Sequence, residues 1–325
     1  MKEIVFLNRN ADRWKEFEKL LNTGYNTKPD ILSDLYIQIT DDLSYSRTYF
    51  PSSQTTKYLN SLAMRAHQII YRNKKENRSR IISFWKSELP LIFRESRKYI
   101  LYSFIIFFIS FLIGVVSTAY DDTFVRLILG DTYVNMTLEN IDKGDPLAVY
   151  KKANQIDMFL GISVNNIRVS FLAFVLGVFL SLGTGYILFM NGIMLGTFQY
   201  FFYQHGLLGE SILTIWIHGT LEIFAIIVSG GAGIMLGNSL LFPGTYKRSF
   251  SFISRAKKGI KICFGLIPVF LLAATLEGFV TRYTGMPDVL RLFIIISSLI
   301  LIVWYFFTYP NSLLTKINSN GQTKH

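Results

Sequence analysis

The sequence predicts an all-α fold: a polytopic membrane helix bundle of about six spans, preceded by an N-terminal cytoplasmic helical bundle. Three observations predict it. From about residue 100 onward the chain holds several apolar runs of about 20 residues, enough to cross a hydrocarbon core of about 30 Å. The first hundred residues are polar by comparison, and their apolar positions recur at helical spacing. Charge is also unevenly placed. Lys247, Arg248, Arg255, Lys257, Lys258 and Lys261 lie between two apolar runs with no acid among them, whereas residues 120–160 hold seven acids against four bases. This is the positive-inside pattern, so the net charge of +11 orients the chain in a bilayer and does not point to nucleic acid.

Residues 1–80 form the first domain. Asn10 is placed to cap a helix bearing Trp14, Phe17, Leu20 and Leu21, and Gly24 ends it. Pro29 suits the first turn of a second helix, with Asp30 and Asp34 near its positive end. Pro51 breaks that run, and Ser52 or Ser53 starts a third helix with Leu59, Leu62, Ala66, Ile69 and Ile70. Residues 73–80 form a basic link. Residues 81–99 mix Trp85, Leu89 and Phe93 with Lys86, Arg94, Arg97 and Lys98, as in an amphipathic helix lying on a membrane surface, and Pro90 should bend it. No signal peptide opens the chain, and the first span is expected to act as an uncleaved anchor.

The transmembrane domain covers 100–310. Span one is expected at 100–119, followed by an extracytoplasmic segment at 120–164 with its own amphipathic helices. Span two follows at about 165–190, with Gly177, Ser181 and Gly185 as a small-residue ridge. Asn191 and Gly192 should turn the chain into a short third span, tilted or re-entrant, before a long fourth at 211–241. Gly230, Gly231 and Gly233 mark where that fourth span should break or bend. The pentapeptide GIMLG occurs at both Gly192–Gly196 and Gly233–Gly237, a GxxxG close-packing pattern too short to establish an internal repeat. Span five (262–281), span six (290–308) and a cytoplasmic tail (311–325) complete a map with both termini inside.

The candidate site lies within these spans. His218 and Glu222 share one helix face, and Glu277 falls at a depth matching His218. Arg168, preceded by Asn166, is a candidate counter-ion for either carboxylate. A metal is the weakest use of these groups, because the HExxH pattern is missing and further ligands are few. No nucleophile is placed with a base, and the single cysteine, Cys263, excludes disulfide or CxxC chemistry. No cofactor and no enzymatic activity are expected. His205 and Glu210 sit in an outer turn, and His67 lies on the soluble bundle.

Several of these residues carry a family resemblance. The run Asn165-Asn166-Ile167-Arg168, the glycine ridge, Asn191-Gly192, His218-Gly219-x-x-Glu222, Gly230-Gly231-Ala232-Gly233 and Ala274-x-x-Glu277-Gly278-Phe279-Val280-Thr281 resemble the stage II sporulation protein M family. Asp41-Asp42-Leu43 with Arg47, Leu59-Asn60-x-Leu62, Arg65-Ala66-His67 and Ile70-Tyr71 resemble its longer members. Arg282 departs from the family, which often has proline there. The resemblance implies a bacterial, multi-pass protein of the cytoplasmic membrane. It also implies work beside peptidoglycan-degrading partners, as in spore formers during engulfment. A non-enzymatic scaffold for an envelope-remodelling complex is therefore the first expectation. A transporter or channel lined by His218, Glu222, Glu277 and Arg168 is the alternative, and an intramembrane enzyme comes third. Expected partners are the lipid bilayer and proteins on the cytoplasmic and outer faces; the same packing is compatible with a homo-oligomer.

Overall fold

The structure, a computed structural model, describes residues 2–22, 29–70, 78–148, 154–283 and 285–322. It is built of helices, with no strand among the described residues, and divides into two units, Met1–Arg80 and Ile81–His325.

The first unit contains α1 (Glu3–Asn22), α2 (Pro29–Tyr49) and α3 (Gln54–Ile70). Asn10 does not cap α1. It lies inside the helix and its Nδ2 donates to the Phe6 carbonyl at 3.0 Å. Gly24 and residues 73–77 of the link lie outside the described residues. Ser53 does cap α3, its hydroxyl accepting the Thr56 N–H at 3.1 Å. The helices close over Phe6, Trp14, Phe17, Ile39, Leu59 and Leu62. Asp42 ties α2 to α1 by accepting the Trp14 indole N–H at 2.8 Å and the Arg13 guanidinium.

The division between the units falls within α4 (Arg78–Ser83), which is followed by a single π-helical turn (Phe84–Glu88) and α5 (Leu89–Tyr120). The surface helix expected over 81–99 is not separate. Leu89–Tyr99 is continuous with the first span, and Leu89, Ile92, Phe93, Ser96 and Tyr99 are buried in the bundle. A π turn, Phe84–Glu88, precedes Pro90 within this continuous helix. There the Trp85 and Lys86 carbonyls accept the Tyr305 and Tyr309 hydroxyls, each at 2.8 Å. After α5 come α6 (Phe124–Leu129) and α7 (Asp131–Asp142), whose Val125 and Val134 join Leu147, Phe201 and Phe202 in a small core. Lys151 and Lys152 lie outside the described residues.

Then follow α8 (Gln155–Val175, with one 3₁₀ turn to Val178), α9 (Leu182–Gln204), α10 (Leu208–Leu241) and α11 (Arg248–Thr275, with a π turn at Leu276–Val280). α12 (Asp288–Ile302) passes through a third π turn, Val303–Thr308, into α13 (Tyr309–Gln322), so the expected tail at 311 continues a helix.

Among the described residues five stretches, not six, are long and apolar enough to cross a membrane: 80–120, 155–178, 208–241, 248–280 and 288–315. The difference lies in the expected spans two and three. The 165–190 run is cut at Phe179–Ser181, where Leu180 and Ser181 adopt positive φ of 52° and 71°. Asn191 and Gly192, expected to turn, sit in mid-helix. The Asn191 amide donates to the Ile187 carbonyl at 2.8 Å, and a Cβ on Gly192 would meet the Phe107 carbonyl of α5 at 2.6 Å. The resulting α9 is long enough, yet diluted by Asn191, Gln199, Gln204 and its glycines and threonines.

The core is organised on α10, with Ala225, Val228, Ser229 and Ala232 wholly buried. It is not broken at Gly230, Gly231 or Gly233. Each of these glycines is a place where another helix comes to the backbone: Ser103 and Leu188 at Gly230, Ile100 at Gly231, Ala173 and Thr184 at Gly233, Ser181 and Gly177 at Gly237. Gly196 meets Phe111 in the same way. Gly185 is different, with nothing within 4 Å of its would-be Cβ, so the ridge expected through Gly177, Ser181 and Gly185 ends at Ser181. Hydroxyls stitch the same seams. Ser103 donates to the Ile227 carbonyl at 2.7 Å and Thr184 to the Ala173 carbonyl at 2.7 Å.

Candidate functional site

His218 and Glu222 project from one face of α10, and Glu277 comes from the π turn that ends α11. A π turn inserts one extra residue, which rotates the following side chains relative to a regular α-helix. Here the turn also presents Glu277 to α10. The ligand atoms of all three side chains lie within 4.8 Å of one another. The His218 Nε2 is 3.7 Å from the Glu277 Oε2, and its Nδ1 is 3.1 Å from the Thr281 hydroxyl. The His218 side chain is 5% exposed and that of Glu277 14%. Glu222 is two residues from the middle of the 34-residue α10, about 3–4 Å along the axis.

Arg168 does not join them. It is exposed on α8, while Asn166 turns inward and accepts the Asn165 amide at 3.2 Å. α8 runs parallel to α10, with Ala173 and Gly177 against Gly233. Counting back along both helices from that contact puts Ser163 and Asn166 at the depth of Glu222. The Ser163 hydroxyl is buried with no hydrogen-bond partner. A buried cation is present all the same. Arg291, in the first turn of α12, is 6% exposed; its guanidinium is 3.5 Å from the Thr214 hydroxyl and 3.7 Å from Asp288. Thr214 precedes His218 by one turn on the same face of α10. The signal for Arg291 was a lone arginine just inside an apolar run, and the expected span six passes over it.

His205 bonds the Phe201 carbonyl through Nδ1 at 2.8 Å and packs on the Phe201 ring, and His67 is exposed on α3. Two cavities lie away from these side chains. One, of about 510 Å³, is an apolar groove among α5, α10 and α12 lined by Phe104, Phe108, Trp216, Phe224 and Leu299, with Arg97 at its end. The other lies along the basic loop from Asn238 to Lys258. Two carboxylates and an imidazole in so apolar a setting can share a proton or hold a cation, and an unneutralised pair would be costly to bury.

A polytopic α-helical membrane protein, with a polar set enclosed at its centre, is the class that this fold and site define. A family model described as Stage II sporulation protein M matches residues 103–282, more than half of the chain. The chain belongs to the stage II sporulation protein M family. The match takes in His218, Glu222, Glu277 and Thr281. A second model, described as a domain of unknown function (DUF8413), matches residues 4–72. Nothing among curated proteins or solved structures matches the chain.

Proposed function

We propose that the protein is a non-enzymatic scaffold of the bacterial cytoplasmic membrane that anchors or recruits partners of an envelope (peptidoglycan) remodelling complex. Family membership over residues 103–282 is the observation that carries this reading. Two features of the molecule support it. The membrane helices meet backbone to backbone along a glycine seam, an arrangement suited to a rigid platform. Residues 1–80 add a unit with its own core, suited to holding a partner. The basic loop between α10 and α11 supports a reading in which both termini are cytoplasmic and the acidic α6–α7 segment lies outside, with α9 crossing as a sixth span. Proteins then dock on both faces, and a second copy can do so along the same helices.

The test is crosslinking in native membranes followed by purification of the intact chain and of a chain lacking residues 1–80. Envelope-remodelling proteins should be enriched with the intact chain, and the cytoplasmic subset lost with the shortened one. A chain that crosslinks to nothing overturns the scaffold.

Convergence of His218, Glu222 and Glu277 inside the bundle favours a second reading, a transport pathway through that set. Glu222→Gln would then abolish a flux measured in proteoliposomes while leaving the fold intact. Under the scaffold reading it leaves partner capture unchanged.

A further inference from the structure

The groove among α5, α10 and α12 has walls that offer water almost nothing. Arg97 is the one charged side chain on its lining, and the Thr220 hydroxyl there already donates to the Trp216 carbonyl at 2.6 Å. A cavity of that kind stays dry, so inside a bilayer its occupant is apolar. Leu101, Phe104, Phe108 and Phe111 follow Arg97 at helical spacing along one face of α5. The Phe104, Phe108 and Phe111 rings lie nearly parallel, at 13° and 15° with centroids 5.9 and 6.3 Å apart, and make one long wall. From Arg97 to Phe111 is about 21 Å along the helix axis. A helix about 10–12 Å across would fill about 1,600 Å³ or more over that length, against about 510 Å³ in the groove. A methylene chain about 4–5 Å wide would fill about 300–400 Å³. The volume suits one acyl chain, and a helix of a second copy is too thick to lie within it.

Charge at the end of the groove selects the kind of lipid. The Arg97 guanidinium is held by neutral groups: Nη1 donates to Asn311 Oδ1 at 3.1 Å, Nη2 donates to the Phe307 carbonyl, and Cζ lies 5.8 Å from the centre of the Phe307 ring. Its Nε is buried with no hydrogen-bond partner. Arg94 stands one turn away on the same helix and is exposed. The acids nearest in sequence, Glu88 and Glu95, are taken by Lys261 and Lys258 of α11, and no described acid pairs with Arg94 or Arg97. Two guanidiniums without a counter-ion at the mouth of an apolar groove match a phosphate that carries an acyl chain. Arg255 of α11 comes to the same end, 5.8 Å from the centre of the Tyr99 ring. In the orientation proposed above, that end lies at the cytoplasmic leaflet, where anionic lipids are found. We propose that the groove binds one anionic phospholipid, with its phosphate on Arg97 and Arg94 and one acyl chain along Phe104, Phe108 and Phe111. The lipid neutralises the two arginines and fills the gap between α5 and α12. The site stands whether or not the protein is a scaffold.

The experiment titrates the intact chain in zwitterionic detergent with dioleoyl phosphatidylglycerol or dioleoyl phosphatidylcholine and reads retained lipid by native mass spectrometry. One phosphatidylglycerol per chain should be retained, at least about fivefold more tightly than phosphatidylcholine. Dihexanoyl phosphatidylglycerol has the same headgroup on chains too short for the groove, and should bind at least about tenfold more weakly than the dioleoyl lipid. Arg97→Gln and, separately, Arg94→Gln should each weaken phosphatidylglycerol by about fivefold and leave phosphatidylcholine unchanged. Arg97→Lys should keep most of the preference. Arg94 is exposed and bonds no described residue, so its variant tests charge without disturbing the fold. Leu299→Trp, which puts a larger side chain into the groove, should weaken both lipids. A phosphatidylglycerol with a photoreactive diazirine at the end of one chain gives a readout on the unaltered protein, and its crosslinks should fall on residues 104–111 and 216–224. The proposal is overturned if the two headgroups bind alike, if the short-chain lipid matches the long one, or if both glutamine variants retain phosphatidylglycerol like the original. Crosslinks spread evenly over the lipid-facing helices, or a second copy covering the groove, would overturn it as well.

Discussion

Gly233 and Gly185 look alike in the sequence, since both sit in apolar helices within small-residue patterns. Their surroundings separate them. A methyl on Gly233 would collide with the Ala173 carbonyl and the Thr184 hydroxyl that bonds it, whereas one on Gly185 would meet nothing. Gly233→Ala should therefore destabilise the membrane unit by about 1–3 kcal/mol, the usual range for overpacking. Gly185→Ala should change it by less than about 0.5 kcal/mol, or raise it slightly through helix propensity. Thermal melting in detergent compares the two, and equal effects would mean that the α8–α10 seam is not where the structure puts it. The same contrast shows what was legible at this scale. His218, Glu222 and Glu277 stood out because ionisable groups are rare in apolar runs and helical spacing pairs the first two. Choosing Arg168 over Arg291 as the buried cation needed the rotation of α8 and the start of α12, which no local pattern encodes. Both arginines lie near the end of an apolar run, and only packing tells which one turns inward.

The clearest mismatch among the elements lies between α8 and α9. Residues 165–190 read as one span because hydropathy averages over a window and the one charge there, Arg168, lies near its start. The chain nevertheless reverses at Phe179–Ser181, a turn with neither proline nor glycine at its two left-handed positions. It holds because Ser181 is fastened on both sides: its N–H bonds the Gly177 carbonyl at 3.0 Å, and its hydroxyl donates to the Ile234 carbonyl at 3.2 Å. Leu180 has no such compensation, being 47% exposed at φ 52°. A non-glycine residue in this region costs about 1–2 kcal/mol. Leu180→Gly should accordingly stabilise the fold by up to about 1 kcal/mol, less whatever apolar contact the leucine makes with lipid. The readout is a higher melting temperature in detergent; a clear drop would mean that the leucine's contacts outweigh its backbone strain. α10 teaches the converse. Its glycine cluster was expected to mark a break, yet glycine in a membrane helix serves close packing as readily as bending, and the residues that decide between the two lie on α5, α8 and α9.

Across the whole molecule, the sequence divides legibly into a polar first part and an apolar second part, because burial in water and in lipid demand different compositions. Residues 1–80 have a hydrophobic core of their own and a polar girdle made within the unit. Expressed alone, they should give a soluble, helical, cooperatively melting bundle, in which Asp42→Ala, by stranding the Trp14 indole and Arg13, costs about 1–3 kcal/mol. This fragment also allows a pH test. The Tyr58 hydroxyl donates to Glu18 at 2.9 Å, and Arg65 holds the other oxygen of that carboxylate at 3.1 Å. Burial first, and then the Glu18 hydrogen bond and charge, push the Tyr58 hydroxyl from 10.0 up to about 12. Its proton is thus bound more tightly in the folded state. The stability it contributes is complete below the unfolded value of 10.0 and is lost as pH rises through about 12. Tyr58→Phe should lower the melting temperature at neutral pH, where the hydrogen bond to Glu18 is missed. That deficit should shrink above pH 10, because only the tyrosine protein then has a proton to lose on unfolding. A deficit that stays constant up to pH 12 would show that Tyr58 titrates alike in the folded and unfolded bundle, and that its contact with Glu18 does not survive in solution.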